Sequence, residues 1–141
     1  MFALNPQLAA DTHLLGELPL CRVLLMNDQQ YPWLILVPRR ADVSEVFELS
    51  EADQALLWQE TRLVAEKLKD AFGADKINIA TLGNVVSQLH MHVIARFTTD
   101  AAWPAPVWGR HAAKAYSAEQ LAELKQKLSV LGDFFEVRDE S

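Results

Sequence analysis

The stretch Gln88-Leu89-His90-Met91-His92-Val93-Ile94 sets a polar side chain at every second position and an apolar one between. A period of two is the pattern of an extended strand with one buried face. On such a strand Gln88, His90 and His92 share one face, while Leu89, Met91 and Val93 point into the core. Two of the chain's four histidines then stand about 7 Å apart along one rigid element. Paired imidazoles suit metal ligation, acid–base work or covalent attack on phosphorus. The plain alternative is a pair of strand histidines satisfied by polar neighbours.

The rest of the chain supplies a frame for that strand. Asn5-Pro6 before Gln7-Leu8-Ala9-Ala10 reads as an N-cap and N1 proline opening a short helix. A short edge strand is expected around residues 13–18. Residues 21–27 form a better one, stopped by Asn27-Asp28-Gln29-Gln30. Residues 33–37 follow as an apolar run between Pro32 and Pro38, giving an antiparallel hairpin. A loop at 39–42 and a helical turn over 43–49 lead to Ser50-Glu51-Ala52-Asp53, a capped helix start with acidic residues favouring the dipole. From there Leu57, Trp58, Thr61, Val64, Ala65, Leu68 and Phe72 recur at helical spacing, and Gly73 closes the helix.

Residues 76–80 alternate as a strand, and Gly83-Asn84 turns into the histidine strand. Residues 98–116, with Trp103-Pro104 and Pro106-Val107-Trp108, are too proline-rich for a regular element. A loop of that kind packs on its own domain or reaches a partner. Ser117 caps a last helix with Leu121, Leu124, Leu128 and Leu131 on one stripe, ended by Gly132. The expected fold is α+β: an antiparallel sheet of about five strands, one long helix and a C-terminal helix, with helices on one side.

At 141 residues the chain fits a single domain, 1–141, able to bury about two-thirds of its unfolded surface. A net charge of −6 opposes general nucleic-acid binding, which needs a positive field. No apolar run approaches the ~20 residues of a membrane span. The start of the sequence lacks the basic and apolar regions of a signal peptide. One cysteine, Cys21, fits a reducing cytoplasm.

Residues 88–94 resemble the signature of the histidine triad (HIT) family, in which His-apolar-His-apolar-His precedes two further apolar residues. Gln88 stands where the first histidine would be. The resemblance covers roughly residues 1–110, leaving 111–141 as C-terminal helix and tail. It implies a nucleotide hydrolase or transferase of HIT-like fold, with His90 as the nucleophile that forms a transient nucleotidyl-histidine on an α-phosphate. It gives His92 the phosphate and the leaving group. In the family, the backbone carbonyl at the first position holds the nucleophile's other ring nitrogen, a contact that Gln88 can still make. The related galactose-1-phosphate uridylyltransferases carry a Gln in their version of the motif, at its third position.

The resemblance further assigns Asn27 to the ribose hydroxyls, Asn84 to the phosphates and Trp103-Pro104 to a segment that approaches the partner subunit's site. Val85 replaces a usual Ser or Thr, and Trp33 stands where many relatives carry another histidine, with packing as its expected role. Trp108 is weighed as a packing residue, and Arg96 as a phosphate partner or a surface residue. The implied substrate is a nucleoside phosphoramidate or a dinucleoside polyphosphate, handled by a homodimer. No metal is obligatory, although Mg²⁺ can accompany a polyphosphate. Two other readings stay open. One is a nucleotide-binding module with little turnover, because Gln88 and Val85 depart from the pattern. The other is a metal-dependent hydrolase using His90 and His92 with a third ligand from His13, His111 or a distant carboxylate.

Overall fold

The Asn5 side chain accepts the Gln7 N–H at 2.8 Å, and Pro6 takes the first helical position of α1 (Pro6–Asp11). In the computed structural model, which describes residues 1–129 and 136–137, five strands follow this helix along the chain and a two-residue pairing joins them late. They are β1 (Thr12–Glu17), β2 (Cys21–Met26), β3 (Trp33–Pro38), β4 (Lys76–Ala80), β5 (Met91–Arg96) and β6 (Glu136–Val137). The sheet order is β4-β5-β3-β2-β1-β6, and the pairings are antiparallel. A 3₁₀ turn at Val46–Glu48 leads to α2 (Glu51–Phe72), and α3 (Ala118–Lys127) follows the last long loop. Ser50 accepts the Asp53 N–H at 3.1 Å to start α2, and Gly73 stops it in the left-handed region at φ +60°.

The expected α+β sheet of about five strands with one long helix and a C-terminal helix is the fold observed. Its core has two layers, one on each face of the sheet. On one face, Leu34 and Leu36 of β3 and Met91, Val93 and Ala95 of β5 pack under Leu57, Val64 and Leu68 of α2. On the other, Trp33, Ile35 and Val37 of β3 meet Ile94, Leu8 of α1, and Ala102 and Val107 of the long loop. Helices therefore lie on both faces, since α1 sits opposite α2. Leu121, Leu124 and Leu128 join the α2 layer as expected; Leu131 and Gly132 fall outside the described residues.

Two expectations from periodicity are corrected. Trp58 is 57% exposed. The buried stripe of α2 runs through Leu57, Glu60, Thr61, Val64 and Leu68, which leaves Trp58 about a quarter-turn away. Glu60 holds its place in that stripe because its carboxylate accepts the N–H groups of Leu20 at 2.8 Å and Cys21 at 2.9 Å. The histidine strand, expected over 88–94, begins at Met91 and runs to Arg96, with residues 81–90 as an irregular approach.

Arg96 is neither a surface residue nor a phosphate partner: it is buried, 1% exposed. Its guanidinium donates to both Asp100 oxygens at 2.8 and 3.1 Å, to the Asn78 side chain at 2.8 Å and to the Ala105 carbonyl at 2.8 Å. The rings of Tyr31 and Trp103 flank it, with centroids 5.7 and 5.8 Å away. Asp100 also accepts the N–H groups of Phe97, Ala102 and Trp103, so one buried ion pair folds the start of the 98–116 loop. The far end is tied back to the β2–β3 connection: the Lys114 carbonyl accepts the Gln29 N–H at 2.7 Å, and Asn27 accepts the Tyr116 N–H at 3.0 Å.

Candidate active site

Strand register brings the site together. Ile35 of β3 lies opposite His92 of β5, and Trp33 opposite Ile94. By the pleat, Trp33, Ile35, His92 and Ile94 share a face, the one turned away from α2. His90, just before β5, turns the same way, and its ring centroid lies 4.8 Å from that of His92. Each histidine is 6% exposed.

The two imidazoles are held in opposite senses. His90 Nδ1 lies 2.6 Å from the Gln88 carbonyl oxygen. A carbonyl can only accept, so Nδ1 carries the proton and the Nε2 of a neutral His90 is left with its lone pair. His92 Nδ1 lies 3.0 Å from Trp33 Nε1. An indole N–H can only donate, so here Nδ1 is bare and Nε2 carries the proton. Burial, and then the nearby His90, push the His92 pKa down to about 3, so His92 is neutral around pH 7. Trp108 completes the enclosure, its ring 5.0 Å from that of His92 and 5.8 Å from that of Trp33.

The rings of His90, His92 and Trp108 border a cleft of about 230 Å³, with Trp33 behind His92. Leu8, Met26, Ile35, Leu82 and Val86 give it apolar walls, and Asn84, Gln7 and Asp11 give it polar edges. No Lys or Arg lines it. Val85, 92% exposed, stands at its border and offers no hydroxyl to an anion.

Of the residues singled out in the sequence, His90, His92 and Asn84 border this cleft. Gln88 contributes its backbone carbonyl only. Its carboxamide accepts the Asn5 N–H at 2.8 Å and donates to the Ala3 carbonyl at 2.8 Å, on the border of a separate polar pocket of about 430 Å³. The three side chains at 88, 90 and 92 thus do not share one surface, because the chain is not yet in the sheet at residue 88. Asn27 spends its side-chain oxygen on Tyr116 and does not line the cleft. Trp103 lies against Arg96 and does not line it either. The hydrogen bond from Trp33 to His92 and the place of Trp108 go beyond the packing roles expected of them. Pairing parity between the 33–37 and 88–94 runs is the signal that puts Trp33 on the His92 face. Among the described residues, no set of three or more His, Cys, Asp or Glu side chains is arranged to hold a metal ion, and His111 instead contacts the Ala101 carbonyl at 3.0 Å.

Residues 7–99 match the family model described as the HIT domain. A histidine triad protein from Marinobacter aquaeolei VT8 superimposes with a TM-score of 0.91 at 50% identity, covering 93% of this chain and 96% of that one. A histidine triad (HIT) protein from Sinorhizobium meliloti 1021 gives 0.89 at 51% identity, covering 92% and 96%. One from Bradyrhizobium japonicum gives 0.89 at 46% identity, again covering 92% and 96%. No curated protein matches the chain.

Proposed function

The chain belongs to the HIT domain family, and on that premise we propose that it hydrolyses a nucleotide derivative at its α-phosphate through a covalent intermediate on His90. What carries the reading is the Gln88 carbonyl on His90 Nδ1. It holds the proton on the far side of the ring and leaves the Nε2 lone pair for attack. As the Nε2–P bond forms, the bond from phosphorus to the leaving group breaks and takes its electron pair with it. The ring becomes cationic, and the same carbonyl stabilises the charge on Nδ1–H. Water then attacks phosphorus and loses a proton to solvent, the P–N bond returns its electrons to His90, and the nucleoside monophosphate leaves. Gln88 occupies the first histidine position of the family motif. Because this support uses its backbone, the side-chain replacement leaves the contact intact. The reading includes a homodimer, for which light scattering of the purified protein is the check.

The test is to trap the intermediate. Wild type is mixed with adenosine phosphoramidate in EDTA, quenched within one turnover and digested for mass spectrometry. The expected result is an adenylyl group on the peptide carrying His90. Nucleotide binding with neither adduct nor turnover would overturn it in favour of a binding module. That second reading draws on the exposed apolar Val85 at the cleft border.

Charge narrows the substrate. A polyphosphate brings several negative charges to a cleft that has no Lys or Arg on its lining and has Asp11 at its edge. Adenosine phosphoramidate brings far fewer. In EDTA its kcat/KM is expected to exceed that of diadenosine tetraphosphate by at least about tenfold, and added Mg²⁺ is expected to narrow the gap by neutralising the polyphosphate. Equal rate constants in EDTA would contradict this preference.

A further inference from the structure

We propose that Trp33 is a positioning residue that locks His92 as an Nε2–H tautomer, making His92 a neutral hydrogen-bond donor to the substrate and not a donor of protons. The inference deepens the hydrolase reading and rests on it for the word substrate.

Trp33 is 4% exposed, and its indole N–H points at His92 Nδ1 from 3.0 Å. Indole Nε1 has no lone pair to offer, so the contact exists only while His92 Nδ1 is bare. A second proton on His92 would have to go on Nδ1, and Trp33 occupies that direction with a proton of its own. Trp108 and His90 pack edge-on against the same ring, at 5.0 and 4.8 Å, so it cannot swing to another partner without repacking both. The low pKa that burial gives His92 acts in the same sense. A neutral imidazole with one proton on Nε2 would become an imidazolate by giving it up, which is far too costly at neutral pH. His92 therefore grips a phosphoryl oxygen and keeps its proton.

The leaving group must then depart without a proton from His92. An N-protonated phosphoramidate meets that condition: the P–N electron pair goes to a nitrogen that already bears its protons, and a neutral amine leaves. A basic alkoxide leaving group does not meet it.

Long-range ¹H–¹⁵N spectra of the ligand-free protein at pH 7.5 read the tautomers directly. Wild type is expected to show His92 with Nε2 protonated and Nδ1 bare, and His90 with the reverse. In Trp33→Phe the Nδ1–H form of His92 is expected to rise to at least about a tenth of the population while the His90 signal stays in place, with kcat falling in proportion to the Nε2–H form that is lost. A wild-type His92 protonated on Nδ1, or a tautomer ratio unmoved in a folded Trp33→Phe, would overturn the proposal. Should Trp33→Phe not fold, kinetics of two His92 variants decide. His92→Gln, whose carboxamide N–H can donate but not transfer a proton, is expected to lose less than tenfold in kcat where His92→Ala loses over a hundredfold. Equal losses would identify His92 as a proton donor and sink the inference. A protein showing the expected tautomers but no turnover would keep the Trp33 assignment and lose the hydrolase reading.

Discussion

His90→Ala is expected to lower kcat for adenosine phosphoramidate by at least about 10³-fold, because the covalent route has no second nucleophile to fall back on. Its neighbour cannot substitute. His92 has a bare ring nitrogen, but that nitrogen is turned to Trp33 and the other carries a proton. The loss should fall in kcat, with nucleotide affinity changing only a few-fold, since the cleft is walled mainly by Leu8, Ile35, Val86 and Trp108. EDTA should leave the wild-type rate unchanged. Steady-state kinetics with and without chelator provide the check, and a variant retaining a tenth of the wild-type kcat would exclude His90 as the nucleophile.

Arg96→Ala is expected to destabilise the fold by about 3–5 kcal/mol, the usual penalty when half of a buried ion pair is removed. Arg96 and Asp100 have side chains only 2% and 3% exposed, so Asp100 would be left charged in a place that water does not reach. In a domain of this size that corresponds to a fall in Tm of roughly 10–15 °C, measurable by calorimetry. Burial raises the Asp100 pKa, but hydrogen bonds from Arg96 and from the N–H groups of Phe97, Trp103 and Ala102 outweigh it and bring it down to about 2. The folded value lies below the ordinary 3.8, so this stabilisation is present in full above about pH 4 and is lost as pH falls toward 2. The stability gap between wild type and Arg96→Ala should therefore narrow as pH falls from about 4 toward 2. A gap that stays constant over that range would show that the pair does not titrate there.

Local signals in the chain told most of the fold. Asn5, Ser50 and Ser117 each accept the N–H that their capping pattern predicts. The apolar runs at 21–27 and 33–37 pair as a hairpin, and the parity of 90 and 92 against 89, 91 and 93 holds in the core. What escaped depends on partners distant in sequence. Gln88 is claimed by Asn5, 83 positions away, and Asn27 by Tyr116, 89 positions away. Arg96 has a near partner in Asp100, but it is buried because Asn78, 18 positions away, Ala105 and two aromatic rings also converge on it. The Trp33 contact is intermediate, since it needs the β3–β5 register and nothing more.

The loop over residues 98–116 crosses the sheet with one anchor at Asp100 and the other at Lys114 and Tyr116. Trp108 lies on the arc between them. Closing a flexible arc costs entropy that grows only with the logarithm of its length, about 0.6 kcal/mol per doubling. The two anchors therefore supply the enthalpy that holds a long arc shut, and the segment between them is expected to open while both stay in place. The indole wall over His92 is then governed by a local opening equilibrium, shallower than the unfolding of the sheet. Amide exchange should show residues 101–112 opening as a unit of their own. Entry of water to the imidazoles, and with it the lifetime of any adduct on His90, follows that equilibrium and not the melting temperature of the domain.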